Sequence, residues 1–198
     1  MPRLQSPVRA RRWMLAAALL IAPACRDEAV APLAEESSAS AHALALVRNV
    51  RGDGDIMGLL HLTNLAVMQT GAVALQRAVA TPVYAYASSM IAAYGEIDRR
   101  GARVSWEILV APTLPDSTLP RLHTEDAALL AAASRADFDS VYVALQLQVH
   151  ERTLALIDAA RPRVERGELG VLLDAVVRPA VAAHHRAAVA LHRQLAGR

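Results

Sequence analysis

The stretch FDSVYVALQLQVHERTLALI, residues 138–157, decides how the rest of the chain is read. Phe138, Val141, Tyr142, Leu145, Val149, Thr153, Leu154 and Ile157 recur at steps of three and four. That is the period of a helix with one apolar face. Ser134, three residues before Asp137, supplies a capping-box start. His150 borders the apolar stripe, one turn below Gln146 and two below Tyr142, so a polar ring is aimed towards a core.

Working outward, composition agrees with helices. The chain has 198 residues, room for one domain with a real core plus short extras. Hydrophobic residues make up 54% but aromatics only 4%. A core of Ala, Leu and Val suits close-packed helices better than strands, which want β-branched and aromatic residues. All 21 basic residues are Arg, and four of them (Arg3, Arg9, Arg11, Arg12) fall in an acid-free start, leaving 17 against 19 Asp plus Glu. The remainder is close to neutral, with its charges mixed along helix faces, and carries no electrostatic footprint for nucleic acid.

Residues 1–24 read as an export signal: an Arg-rich start, the apolar run Trp13 to Ala24, and a small-residue cleavage site. The run is shorter than the roughly twenty residues a bilayer span needs. Arg11-Arg12 before Trp13 faintly resembles a twin-arginine signal. Cys25, the only cysteine, follows Ala22-Pro23-Ala24, where lipoprotein processing would attach a lipid. Ordinary cleavage after Ala24 fits the same residues, and Pro23 suits lipidation poorly. With lipidation, the chain is expected to be a periplasm-facing outer-membrane lipoprotein, held by its lipid. Without it, the domain is soluble in the periplasm. A single cysteine excludes an intramolecular disulfide. Residues 25–51 read as a tether with a short helix near Ala41 to Val47, and 52–198 as the bundle.

Gly52-Asp53-Gly54-Asp55 superficially resembles a phosphate or calcium loop, but without a preceding strand or further ligands it reads as a helix N-cap. Four long helical patterns follow. The first, Asp55 to Val79, carries Ile56, Leu60, Asn64, Val67, Gly71, Ala74 and Ala78 on one stripe. Thr81-Pro82 then reads as cap and first-turn proline, so the second helix starts at once and runs antiparallel. Its stripe is Val83, Ala87, Met90, Tyr94, Ile97, Gly101 and Val104. A proline-containing crossover holds a short helix from Thr124 to about Ala133, with His123 expected at the surface. The opening stretch is the third long helix. The fourth, Glu168 to Leu195, aligns Leu173, Val177, Ala180, His184, Ala188, Leu191 and Leu195, with a kink expected at Pro179. Two antiparallel pairs joined by one crossover give an all-α, ferritin-like four-helix bundle.

Val67 and Tyr94 both lie about 17 Å along their helices from the shared turn, at 1.5 Å per residue. His150 and His184 sit at a similar level, so four inward positions share a mid-bundle layer, the place where such bundles hold metal ligands.

Several motifs resemble an exported bacterial family of unknown function, numbered 4142. They are Asn64-Leu65-Ala66, Val83-x-x-Tyr86-Ala87-x-x-Met90, Phe138-Asp139-x-x-Tyr142-x-x-x-Gln146-x-x-x-His150 and Pro179-x-x-x-x-His184. The resemblance covers about Asp53 to Leu195 and implies a ferritin-like fold. Family members typically have Glu after Asn-Leu-Ala, and Asp-His after the Met. Here Val67, Ala93 and Tyr94 stand in those places, while His150 and His184 match.

The resulting expectation is a non-enzymatic, envelope-anchored bundle with no catalytic residues and no cofactor. It would bind a protein or small molecule, or support the envelope. His150 and His184 would be core histidines hydrogen-bonded to Tyr94, Tyr142 or Gln146. The alternative is a ferritin-like metal-binding or metal-dependent redox protein holding a single transition metal ion on His150 and His184.

Overall fold

The computed structural model of the protein describes residue 41 and residues 43–197. The expected export signal, Cys25 and most of the tether lie outside the described residues. Every regular element among those described is helical: α1 (Asp53–Arg77), α2 (Thr81–Glu107), α3 (Thr118–Ala132), α4 (Phe138–Ala160), α5 (Gly167–Leu172) and α6 (Arg178–Ala196). α1 packs along α2, and α4 along α6; α2 also meets α6, and α1 meets α4. Four long helices thus close a ring, an all-α antiparallel bundle, with α3 laid over α1 and α4 as the crossover. The expected stripes are the buried ones. Ile56, Leu60, Asn64, Val67, Gly71 and Ala74 face inward on α1, and Val83, Ala87, Met90, Tyr94 and Ile97 on α2.

The packed unit reaches back beyond residue 52. Residues 43–47 form a short helical segment whose Ala43, Leu46 and Val47 are at most 2% exposed in the core. The expected tether therefore contributes its last part to the bundle.

The Gly52–Asp55 motif does begin α1, with Gly52 as N-cap. Its two acids make no side-chain cap bond and reach other parts of the chain instead. The Asp53 carboxylate accepts the backbone N–H groups of Glu165 and Arg166 at 2.9 Å each, holding the entry to α5. Asp55 accepts the Arg51 guanidinium (2.9 Å) and the Thr113 hydroxyl (2.5 Å), so burial is offset by charge-assisted bonds. The Arg51 bond holds the Asp55 carboxyl well below the usual carboxylate range.

The α1–α2 turn corrects the expected Thr81 cap. Ala80 is the N-cap and has no side chain to serve, so Val79 N–H and Ala80 N–H donate to Asp139 of α4 at 3.0 and 2.7 Å. Gly71 permits close approach of α1 and α2, since a Cβ there would stand 3.0 Å from Ile91 Cγ1. Gly58 serves a different neighbour: a Cβ would fall 1.7 Å from the Thr113 carbonyl oxygen, so the crossover chain seats directly on this glycine.

α2 ends in a Schellman turn. Val110 N–H donates to Ser105 O (3.0 Å) and Leu109 N–H to Trp106 O (3.2 Å). Leu109 occupies the left-handed position with φ 56°, where glycine is usual.

The crossover helix begins at Thr118, not Thr124, because Asp116 Oδ1 accepts the Thr118 N–H at 2.8 Å. Pro120 falls in its first turn, where the missing N–H costs nothing. Arg77 donates to Leu130 O and Ala133 O (2.6 and 2.5 Å) and lies 4.4 Å over the Phe138 ring, fixing the far end of α3. At the start of α4, Ser134 Oγ accepts the Asp137 N–H at 3.2 Å, and its hydroxyl donates to Asp137 Oδ2 at 2.6 Å. Before Pro179, residues Leu173–Val177 form one π-helical turn, widening the backbone where the proline cannot donate.

α1 is long and apolar enough to cross a membrane by length and composition, yet 56% of its apolar window is buried in the bundle.

Candidate functional site

Three long helices each bring one ring to the middle of the bundle. Tyr94 comes from α2, His150 from α4 and His184 from α6. The Tyr94 and His150 rings meet edge-on with centroids 5.8 Å apart. Tyr94 and His184 are 5.6 Å apart and tilted, and the two imidazoles 6.0 Å apart and edge-on. Every pair in this trio is in contact range for aromatic rings. Tyr94 and His150 are fully buried, while His184 keeps some exposure.

His150 is oriented by its own helix: Nδ1 donates to the Gln146 carbonyl at 2.6 Å, leaving Nε2 as the lone-pair nitrogen. Of the partners expected from the sequence, Gln146 is the one found, and it serves through its backbone carbonyl. The Gln146 amide reaches α1 instead, donating to Thr70 Oγ1 at 3.2 Å. Tyr142 belongs to a neighbouring aromatic group, stacked on Phe138 (6.2 Å) and edge-on to Tyr86 (6.3 Å). The hydroxyls of Tyr94 and Tyr142, Gln146 Oε1, His150 Nε2 and His184 Nδ1 are buried without a hydrogen-bond partner among the described residues. Leaving such a group unpaired costs about 1–3 kcal/mol, so this layer is tense.

The layer is also uncharged. Burial pushes the His150 imidazole down to about 4 and lowers His184 as well, so both rings are neutral near pH 7. Burial raises the Tyr94 and Tyr142 phenols, opposing phenolate formation.

Val67 is buried on α1, as expected, but borders a different space: a cavity of about 80 Å³ under α3, shared with Thr70, His123, Asp126 and Val149. His123 is not the surface residue the sequence suggests. It lies within α3 with Nδ1 buried and unpartnered among the described residues, and burial pushes its imidazole down to about 4. Beside it, Arg152 of α4 holds Asp126 at 2.5 Å, clamping the crossover helix. His185 pairs with Glu151 at 3.1 Å, and His192 is exposed.

A ferritin-like di-iron centre needs several carboxylates, and this donor set does not fit one. The acids on the same helices are engaged elsewhere: Glu151 with His185, Glu96 with Arg99 and Arg100, Asp98 with His61. Among the described residues no three His, Cys, Asp or Glu side chains gather as a metal cluster. What remains is two neutral imidazoles and a neutral phenol.

Sequence reasoning missed Thr70, Asp126 and Arg152, whose partners lie far along the chain. Only the buried register of Thr70, three residues after Val67, hints at its place.

No curated protein and no solved structure matches the chain. The model of one family, described as a domain of unknown function (DUF4142), matches residues 33–191, from within the expected tether to the last turns of α6. With the bundle and the mid-bundle histidines agreeing, the chain belongs to the DUF4142 family.

Proposed function

We propose that this is a non-enzymatic helical-bundle protein carried at the cell envelope, with a polar centre that packs the helices rather than performs chemistry. The carrying observation is the Tyr94–His150–His184 trio: its rings contact one another, and among the described residues no cluster of metal-ligating side chains forms around it. Ring-to-ring contact sets the rotation of the three helices against one another, and the His150–Gln146 bond holds the imidazole in place on α4. The Arg-rich, apolar N-terminus and Cys25 supply the envelope part of this reading, with the lipid as membrane partner. Elemental analysis of the mature protein, purified without a His-tag, tests the first part; near-stoichiometric transition metal that disappears in His150→Ala would overturn it. Labelled palmitate tests the second: incorporation is expected in the native chain and absent in Cys25→Ser.

A second reading has one specific observation behind it. Among the described residues, His150 Nε2, His184 Nδ1 and the Tyr94 hydroxyl are all unpartnered in one layer, and three such groups could ligate a single transition metal ion. The raised phenol of Tyr94 and the lack of an acid oppose it, since a dication would be buried with no anion to balance it.

A further inference from the structure

On the α1–α2 face, away from the ring trio, a cavity of about 150 Å³ opens between the helices and the crossover chain. Its walls are apolar: Met57, Leu60, Ala102 and Pro112. Space exists because Gly101 and Ala102 leave the last turns of α2 nearly bare; a Cβ at Gly101 would already touch Met57 Cε at 3.7 Å. One edge is polar. Asp98 Oδ1 receives His61 Nδ1 at 2.8 Å and the Asn64 amide N–H at 3.2 Å.

The atoms left over on that edge are all acceptors. Asp98 Oδ2 takes no hydrogen bond among the described residues. With Nδ1 donating to Asp98, the neutral form of His61 presents the Nε2 lone pair, and its side chain is half exposed. Asn64 Oδ1 is buried with no partner among the described residues, on a residue only 1% exposed. A carboxylate oxygen and an imidazole nitrogen, set beside an apolar chamber with the Asn64 amide oxygen buried behind them, call for a ligand that brings N–H donors, a positive charge and a hydrocarbon body. The volume admits a body about the size of a benzene ring.

We infer that this cavity, edged by His61, Asn64 and Asp98, binds a small primary ammonium ion with an apolar body. The ammonium sits at the acceptor edge with Asp98 as counter-ion, and the body fills the space beside Met57 and Leu60. Small-molecule sites have this form: mostly apolar walls with a few convergent polar groups. The site is independent of the mid-bundle layer and holds whichever reading of that layer is right.

Titration of the full chain with benzylammonium, followed by calorimetry and ligand-observed NMR, tests the inference. Benzyl alcohol and benzoate, of the same shape but neutral and anionic, are the controls. Saturable binding of one benzylammonium per chain is expected, with both controls weaker by about tenfold or more, the size of one charge-assisted hydrogen bond. Asp98→Asn keeps the shape and should weaken binding by a similar factor of about ten. Ala102→Trp, at an exposed position on the cavity wall, should abolish binding while leaving the circular dichroism unchanged. No saturation in the native chain up to about 10 mM, equal binding of benzoate, or binding that survives Ala102→Trp would each overturn the inference. Should Asp98→Asn fail to fold, the Ala102→Trp result and the ligand controls still decide it.

Discussion

The Tyr94 ring meets the His150 ring edge-on at 5.8 Å, yet neither the Tyr94 hydroxyl nor His150 Nε2 has a hydrogen-bond partner among the described residues. Two polar atoms in a closed layer, each unsatisfied, make the hydroxyl a burden on the fold. Tyr94→Phe removes it and keeps the ring. A gain of about 1 kcal/mol in urea unfolding is expected. A loss of that size would mean the hydroxyl is bound to something, in favour of the metal reading.

Acid should loosen the bundle through His150. Its imidazole titrates near 6.5 when unfolded and about 4 when folded, so between those values the unfolded chain takes up a proton that the fold refuses. The stability is therefore whole above pH 6.5 and lost as pH falls towards 4, by an amount on the order of 3 kcal/mol. His184 and His123 are lowered in the same direction and add to the slope. Denaturation midpoints measured across this range should fall with pH, and His150→Gln should flatten the dependence.

Gly58 carries the crossover chain against its backbone. Gly58→Ala would drive a methyl group into the Thr113 carbonyl, with an expected loss of about 3 kcal/mol by chemical denaturation. Gly167→Ala is the matched control, since nothing lies within 4 Å of its Cβ position, and it should show no loss.

Leu109 holds the left-handed position of the Schellman turn and is 85% exposed, so its side chain gains little in return. Leu109→Gly is expected to raise stability by about 1 kcal/mol, read as a higher thermal midpoint.

Asp139 answers two backbone N–H groups at the start of α2. Asp139→Ala should cost about 2 kcal/mol. Hydrogen exchange at Val79 and Ala80 should rise more than at Met90, placing the damage at the turn.

The stripes were legible because each buried helix face repeats within its own sequence. Asn64, Val67, Gly71 and Ala74, or Met90, Tyr94 and Ile97, need no knowledge of what they face. The level of the ring trio followed from counting residues to the shared turns. Capping was harder to see. Asp139 serves a turn 59 residues away and Asp53 one 112 residues away, and such pairings leave no local pattern. His123 shows the cost of one misplaced boundary: with Pro120 taken as loop, its helix starts late and the ring falls outside it. The proline in fact occupies the first turn, and Asp116 opens the helix before it. The His61–Asp98 edge escaped notice because both residues lie beside their stripes rather than on them, as ordinary charges on exposed faces do.

Asp53 stands at the head of α1 and grips the amides that lead into α5. Without that first helix, the second hairpin loses the carboxylate that fixes the two amides at its hinge. The two halves are therefore tied together at this hinge as well as along their packed faces. They share a keystone, and the chain should pass between unfolded and native in one cooperative step, without a half-built resting stage.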